Sequence, residues 1–265
     1  MTSSKTLRAS LAAMTLIGAT MGLAQMAAHA DAVDDIAKAG VLKVGVFGDF
    51  PPFASVSTDM SLKGYDIDVA QILADTLKVK TNFVTVTGQN RIPYLTERRV
   101  DILLSVGQSA EREKVIDFTD AYAPYYIAVM GPKSLAVSGA ADLKGKSVAV
   151  NRGTLEDTSL TDIAPAGTDI QRFNDYNGVI SSFLAGQSQL MVVGNDVGAT
   201  VLAKHPAIEP EQKFQLMNSP DHLSINKNEP RLKAKLNELI AAMKKDGSLD
   251  AISKKWLYLP LPKDL

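Results

Sequence analysis

The chain has no cysteine. That excludes disulfides, so in an oxidising compartment the fold would rest on its core alone, and it excludes a lipid anchor on cysteine. There are only three histidines, at 29, 205 and 222. None has a second histidine, a cysteine or clustered carboxylates at metal-ligand spacing, so no metal or other cofactor is expected. Ser181-Ser182 lacks the histidine and aspartate frame a nucleophile needs. The formal net charge is -1, too little positive charge to make nucleic acid a main partner. Repeats and low-complexity stretches are absent. After residue 30 no run is long and apolar enough to span a bilayer.

What is present begins with an address. Lys5 and Arg8 form a positive start, Leu11 to Ala28 is uncharged and apolar, and Ala28-His29-Ala30 suits a small-x-small cleavage site. Residues 1–30 therefore read as a secretory signal peptide cleaved after Ala30. Gly18, Gly22, Gln25 and His29 interrupt the run and disfavour a transmembrane anchor. The expected product is free in a Gram-negative periplasm.

The rest of the 265 residues alternates strand and helix patterns. Val41 to Phe47 reads as a buried β-branched strand, closed by Gly48-Asp49-Phe50-Pro51-Pro52. Val69, Ile72, Leu73 and Leu77 recur at helical spacing. Further strands are expected at 83–87 and 101–105, then at 147–151 and 189–193, with helices between them and two more helices near the C-terminus. This alternation predicts parallel α/β sheets in two similar halves. Ligands of such sheets bind at the carboxyl ends of strands. The turns after Phe47, Ser105, Asn151 and Val193 are the candidate site. Arg112, in Ser109-Ala110-Glu111-Arg112, stands at such a turn, and its planar fork matches a carboxylate with two hydrogen bonds. Asp66 and Asp68 follow Gly64 at a helix start and read as capping or dipole residues.

Phe50-Pro51-Pro52-Phe53, Gly64-Tyr65-Asp66, Arg91-Ile92-Pro93-Tyr94, Val100-Asp101-Ile102-Leu103, Glu111-Arg112, Phe118-Thr119-Asp120, Leu143-Lys144-Gly145-Lys146, Gly153-Thr154, Asp246-Gly247-Ser248 and Lys255-Trp256-Leu257 follow one another in order. As a set this resembles the periplasmic polar amino-acid-binding proteins of ABC importers (solute-binding protein family 3). The resemblance implies a two-lobe Venus-flytrap fold. Residues 31–124 would open the first lobe, 125–220 would form the second, and 221–265 would return to the first. Hinge strands would lie near 122–127 and 217–224. It implies a soluble monomer that captures a polar L-amino acid and delivers it to a membrane-embedded permease.

Carried over residue by residue, Arg112 would hold the ligand α-carboxylate with Ser105, Gly107 and Thr154. Asp196 would receive the α-ammonium, and Phe50 would cover the ligand side chain. Phe47 stands where members that take basic amino acids have an acid, and Gly88 where many have a second aromatic. Gly107-Gln108 replaces a hydroxyl-bearing pair. Arg91 occurs in members that take glutamate and aspartate. Together these favour an acidic or small neutral ligand over a basic one, with Arg91 reading the side chain. The alternative is an enzyme resembling cyclohexadienyl dehydratases, with Glu156 as its acid.

Overall fold

A computed structural model describes residues 32–265; the expected signal peptide lies outside the described residues. Two five-stranded sheets form two lobes. In the first, β1 (Val41–Val46) lies between β5 (Lys80–Thr85) and β6 (Ile102–Gly107), all parallel. In the second, β9 (Ser147–Asn151) lies between β10 (Asp169–Phe173) and β11 (Leu190–Gly194), again parallel. A small antiparallel sheet of β2 (Asp49–Phe50), β3 (Ala54–Val56) and β4 (Leu62–Lys63) follows β1.

The sheets are not wholly parallel, as the alternation alone predicts. The chain passes between them twice, from β7 (Ile116–Ala123) to β8 (Tyr126–Pro132), and from β12 (Pro210–Asn218) to β13 (Asp221–Asn226). The parallel strands end at the cleft between the lobes, whereas β8 and β13 begin there. Each therefore runs antiparallel to its neighbours, β8 to β11 and β12, and β13 to β6 and β7.

β6 is buried along its whole length. Ile102 and Leu104 join the large core, while Leu103 and Val106 join a second cluster with Leu95, Val100, Ile116 and Phe118. That is the expected signature of a strand covered on both faces. In α2 (Tyr65–Leu77) Val69 and Leu73 are fully buried, and Ile72 and Leu77 pack at the core's edge. The C-terminal helices α8 (Pro230–Asp246) and α9 (Ser248–Trp256) pack on the first lobe against β7 and α2. Asp68 ties α9 to α2, accepting 2.7 Å from Trp256 Nε1. Among the described residues no helix is long and apolar enough to cross a membrane.

Candidate functional site: a closed, arginine-lined cleft

The first lobe contributes a network centred on the end of β6. Ser105 has φ +51°, a left-handed conformation that costs a non-glycine residue energy and persists only where its surroundings hold it. Three contacts do so. Its amide donates to Tyr122 Oη at 2.8 Å, its hydroxyl donates to Asp66 Oδ2 at 2.7 Å, and its carbonyl accepts from Arg91 Nη1 at 2.9 Å. Tyr122 in turn donates to Asp66 Oδ1 at 2.6 Å. Asp66 is therefore not a helix cap. It is a buried hub 1% exposed, and burial pushes its carboxyl up to about 6 against these two hydrogen bonds.

Two arginines lie beside this network. Arg91 is buried, its guanidinium 5.1 Å from the Phe47 ring centroid, and its Nε has no hydrogen-bond partner among the described residues. It does not pair with Glu97, which instead meets Arg99. Arg112 is 8% exposed and donates to the Gly107 carbonyl at 2.8 Å. Burial, and then Arg91, lower its guanidinium to about 9. Among the described residues no carboxylate forms an ion pair with either arginine. Two desolvated cations close together favour an anion strongly.

The second lobe closes over them with aromatic rings. Tyr176, first residue of α6 (Tyr176–Leu184), stacks on Phe50 at 4.6 Å and meets Phe47 edge-on at 5.5 Å. Asn177 donates its amide to Asp49 Oδ2 at 2.9 Å across the cleft. Gly88 abuts the Arg152–Gly153 backbone. Glu156, in α5 (Leu155–Ile163), is buried and accepts from Tyr125 Oη at 2.6 Å and Tyr176 Oη at 3.2 Å. The remaining cavity is about 10 Å³, lined by Phe50, Arg91, Ser105, Gly107, Glu156 and Asp221 among others. That is room for about one water.

Residues 42–258 match the bacterial extracellular solute-binding proteins, family 3. The chain belongs to that family. Its relatives are amino-acid-binding proteins. The L-cystine-binding protein TcyJ of Escherichia coli is 28% identical, covering 87% of this chain and 88% of its own. The L-arginine-binding protein of Pseudomonas aeruginosa is 27% identical, covering 81% and 87%. A solved ancestral amino-acid-binding protein, titled a precursor of cyclohexadienyl dehydratase, superposes with a TM-score of 0.79 at 29% identity, covering 85% and 99%.

In this solute-binding protein the structure brings Phe50, Arg91, Ser105 and Gly107 to one cavity, and sets Arg112 on the Gly107 carbonyl beside it. Thr154 is fully buried and donates its hydroxyl back to the Asn151 carbonyl at 2.7 Å, at the point where Gly88 touches the second lobe. Asp196 is not brought in. It lines a separate cavity of about 450 Å³ with Pro124, Asn195, Pro220 and the C-terminal residues Leu257 and Pro260. Tyr125 lines both cavities and packs against the glycine that ends β11, where a Cβ on Gly194 would lie 2.0 Å from its ring. Tyr125, Tyr176, Glu156 and Asp221 line the cleft, and the sequence reading assigned none of them a part in ligand binding. A Tyr at a crossing and an Asp opening a strand carry no local pattern that marks them.

Burial raises the Asp196 carboxyl to about 6, Asn195 opposing. A folded value above the unfolded 3.8 means a contribution to stability that is full below 3.8 and lost as pH rises through about 6. Asp196→Asn removes that loss. The expected result is a higher Tm than the parent at pH 8 and no difference at pH 4. A Tm offset independent of pH would show that the carboxylate is not desolvated.

Proposed function

We propose that this protein captures a polar L-amino acid between its lobes, acidic or small neutral rather than basic, and delivers it to an ABC permease. In this reading it works as a monomer in the periplasm after loss of residues 1–30, and the two crossings act as hinges. The observation that carries the ligand preference is the pair of buried guanidiniums, Arg91 and Arg112, with no ion-paired carboxylate among the described residues. Arg112, beside Ser105 and Gly107 at the end of β6, takes the α-carboxylate, Arg91 reads the side chain, and Phe50 covers it. Thr154 adds the second lobe's contact at the start of α5 once the lobes close. A basic side chain would bring a third cation into the same dry space. The residual cavity is smaller than any amino acid, so entry requires the lobes to part.

The enzyme reading is less well supported. Glu156 is buried in the cleft, but its Oε1 accepts from two phenol hydroxyls. Both bonds hold Oε1 against the cleft wall, which accounts for this residue's burial without a catalytic role.

The test strips ligand by unfolding and refolding, then titrates the common L-amino acids by calorimetry. Sub-micromolar binding of glutamate, aspartate, cysteine or glutamine is expected. Arg91→Ala should cost about tenfold, and only for those side chains that Arg91 reads. Tight binding confined to lysine or arginine would sink the proposal.

A further inference from the structure

Asp221 opens β13, the second strand to cross between the lobes, and pairs in register with Gly107 and Ala123. It is 2% exposed, lines the same small cavity as Arg91, Ser105 and Glu156, and its buried Oδ2 has no hydrogen-bond partner among the described residues. A buried carboxylate oxygen left alone is costly, and such atoms are rare enough that each needs a reason. The Arg91 Nε is buried and unpartnered at the same cavity. One site thus holds an acceptor lacking a donor and a donor lacking an acceptor. A ligand that carries an anionic and a cationic group close together answers both.

The charges around Asp221 point the same way. Asp66 on α2, Glu156 on α5 and Asp196 on α7 (Asn195–Leu202) act on it as like charges, and Arg91 on α3 (Arg91–Thr96) opposes them. Arg91 and Arg112 make no ion pair with it. Burial first, and these carboxylates next, hold its carboxyl well above the usual range. An ammonium brought into the cavity beside Asp221 and Glu156 would relieve that strain and let Asp221 ionise. Asp196 lines a different cavity from the one that holds Arg91 and Asp221.

We infer that Asp221 receives the ligand's α-ammonium group and so selects amino acids over carboxylic acids that lack the amine. This rests on the amino-acid reading above. Because Asp221 sits on a crossing strand, the ion pair forms on the element about which the lobes would swing.

The experiment compares the ligand-stripped parent with Asp221→Asn, and with Asp221→Ser as a second variant. Each is titrated with L-glutamate and glutarate, and with L-cysteine and 3-mercaptopropionate, and its Tm is recorded without ligand. The parent should prefer each amino acid to its des-amino analogue. In both variants the amino acid should weaken at least about 30-fold, the analogue should bind as well as before or better, and the Tm of the stripped protein should hold or rise. Unchanged amino-acid affinity in the variants overturns this inference and leaves the amino-acid reading standing. A Tm drop of many degrees in both variants makes the role structural and also overturns it. A parent that binds none of the four compounds, or binds the analogues as tightly as the amino acids, overturns the inference too. If the full amino-acid panel is also silent, the functional reading falls with it.

Discussion

Arg112→Ala should weaken amino-acid binding by more than about 100-fold, ~2.7 kcal/mol, while the Tm of the ligand-stripped protein holds or rises. The two halves of this expectation have one cause. Among the described residues the buried Arg112 guanidinium has the Gly107 carbonyl as its partner, and Arg91 lies close enough to oppose its charge. Without ligand, the desolvated charge is eased through space by Glu156 and Asp221 but bound to neither, and removing it relieves the fold. With ligand, the same desolvation makes a carboxylate contact strong, because water no longer competes for either partner. A residue that served only the fold would show the reverse pattern, with Tm lost and affinity kept. Calorimetry beside a melting curve separates the cases. Affinity within about twofold of the parent would show that Arg112 does not hold the ligand.

Gly88→Val should keep the lobes from closing. A Cβ at Gly88 would lie 2.4 Å from the Arg152 carbonyl oxygen and 2.9 Å from Thr154 Cγ2, both in the second lobe. The Arg152 backbone cannot retreat freely, since its amide donates to the Phe173 carbonyl at 2.8 Å. Overpacking of this kind costs about 1–3 kcal/mol, and here it falls only on the closed form. The expected outcome is a loss of affinity of tenfold or more and an unchanged Tm without ligand. Small-angle scattering should show a radius of gyration that no longer shrinks when ligand is added. Parent-like affinity with parent-like compaction would show that the contact at Gly88 is not needed for closing. The absence of an aromatic at this position thus does more than remove a stacking wall. It lets backbone approach backbone.

The closed form also depends on contacts that no single segment announces. Tyr176 stacks on Phe50, which lies 126 positions earlier, and Asn177 donates to Asp49 across a similar separation. Phe50 could be read as a site residue because it follows a strand end and sits in a proline turn. Its partner could not, because Tyr176 merely begins an amphipathic helix whose N-cap, Asp175, is an ordinary helix start.

The sequence by itself determined the α/β alternation, the turns after three of the four strands, which meet at one cavity, and the two arginines that lie buried at it. These are local properties: hydrophobic period, turn residues, and charge at the end of a strand. Tertiary structure alone decided which acids share the cleft with those arginines. Asp66 looks like a helix cap in its own segment and becomes the support for Ser105 only when β6 arrives 39 residues later. Asp196 follows one of the named strands yet lines another cavity, while Asp221 enters this one from a crossing strand. Burial and pairing of a carboxylate depend on what packs around it from elsewhere in the chain. They are set by long-range packing, to which the residue's own neighbours in sequence are blind.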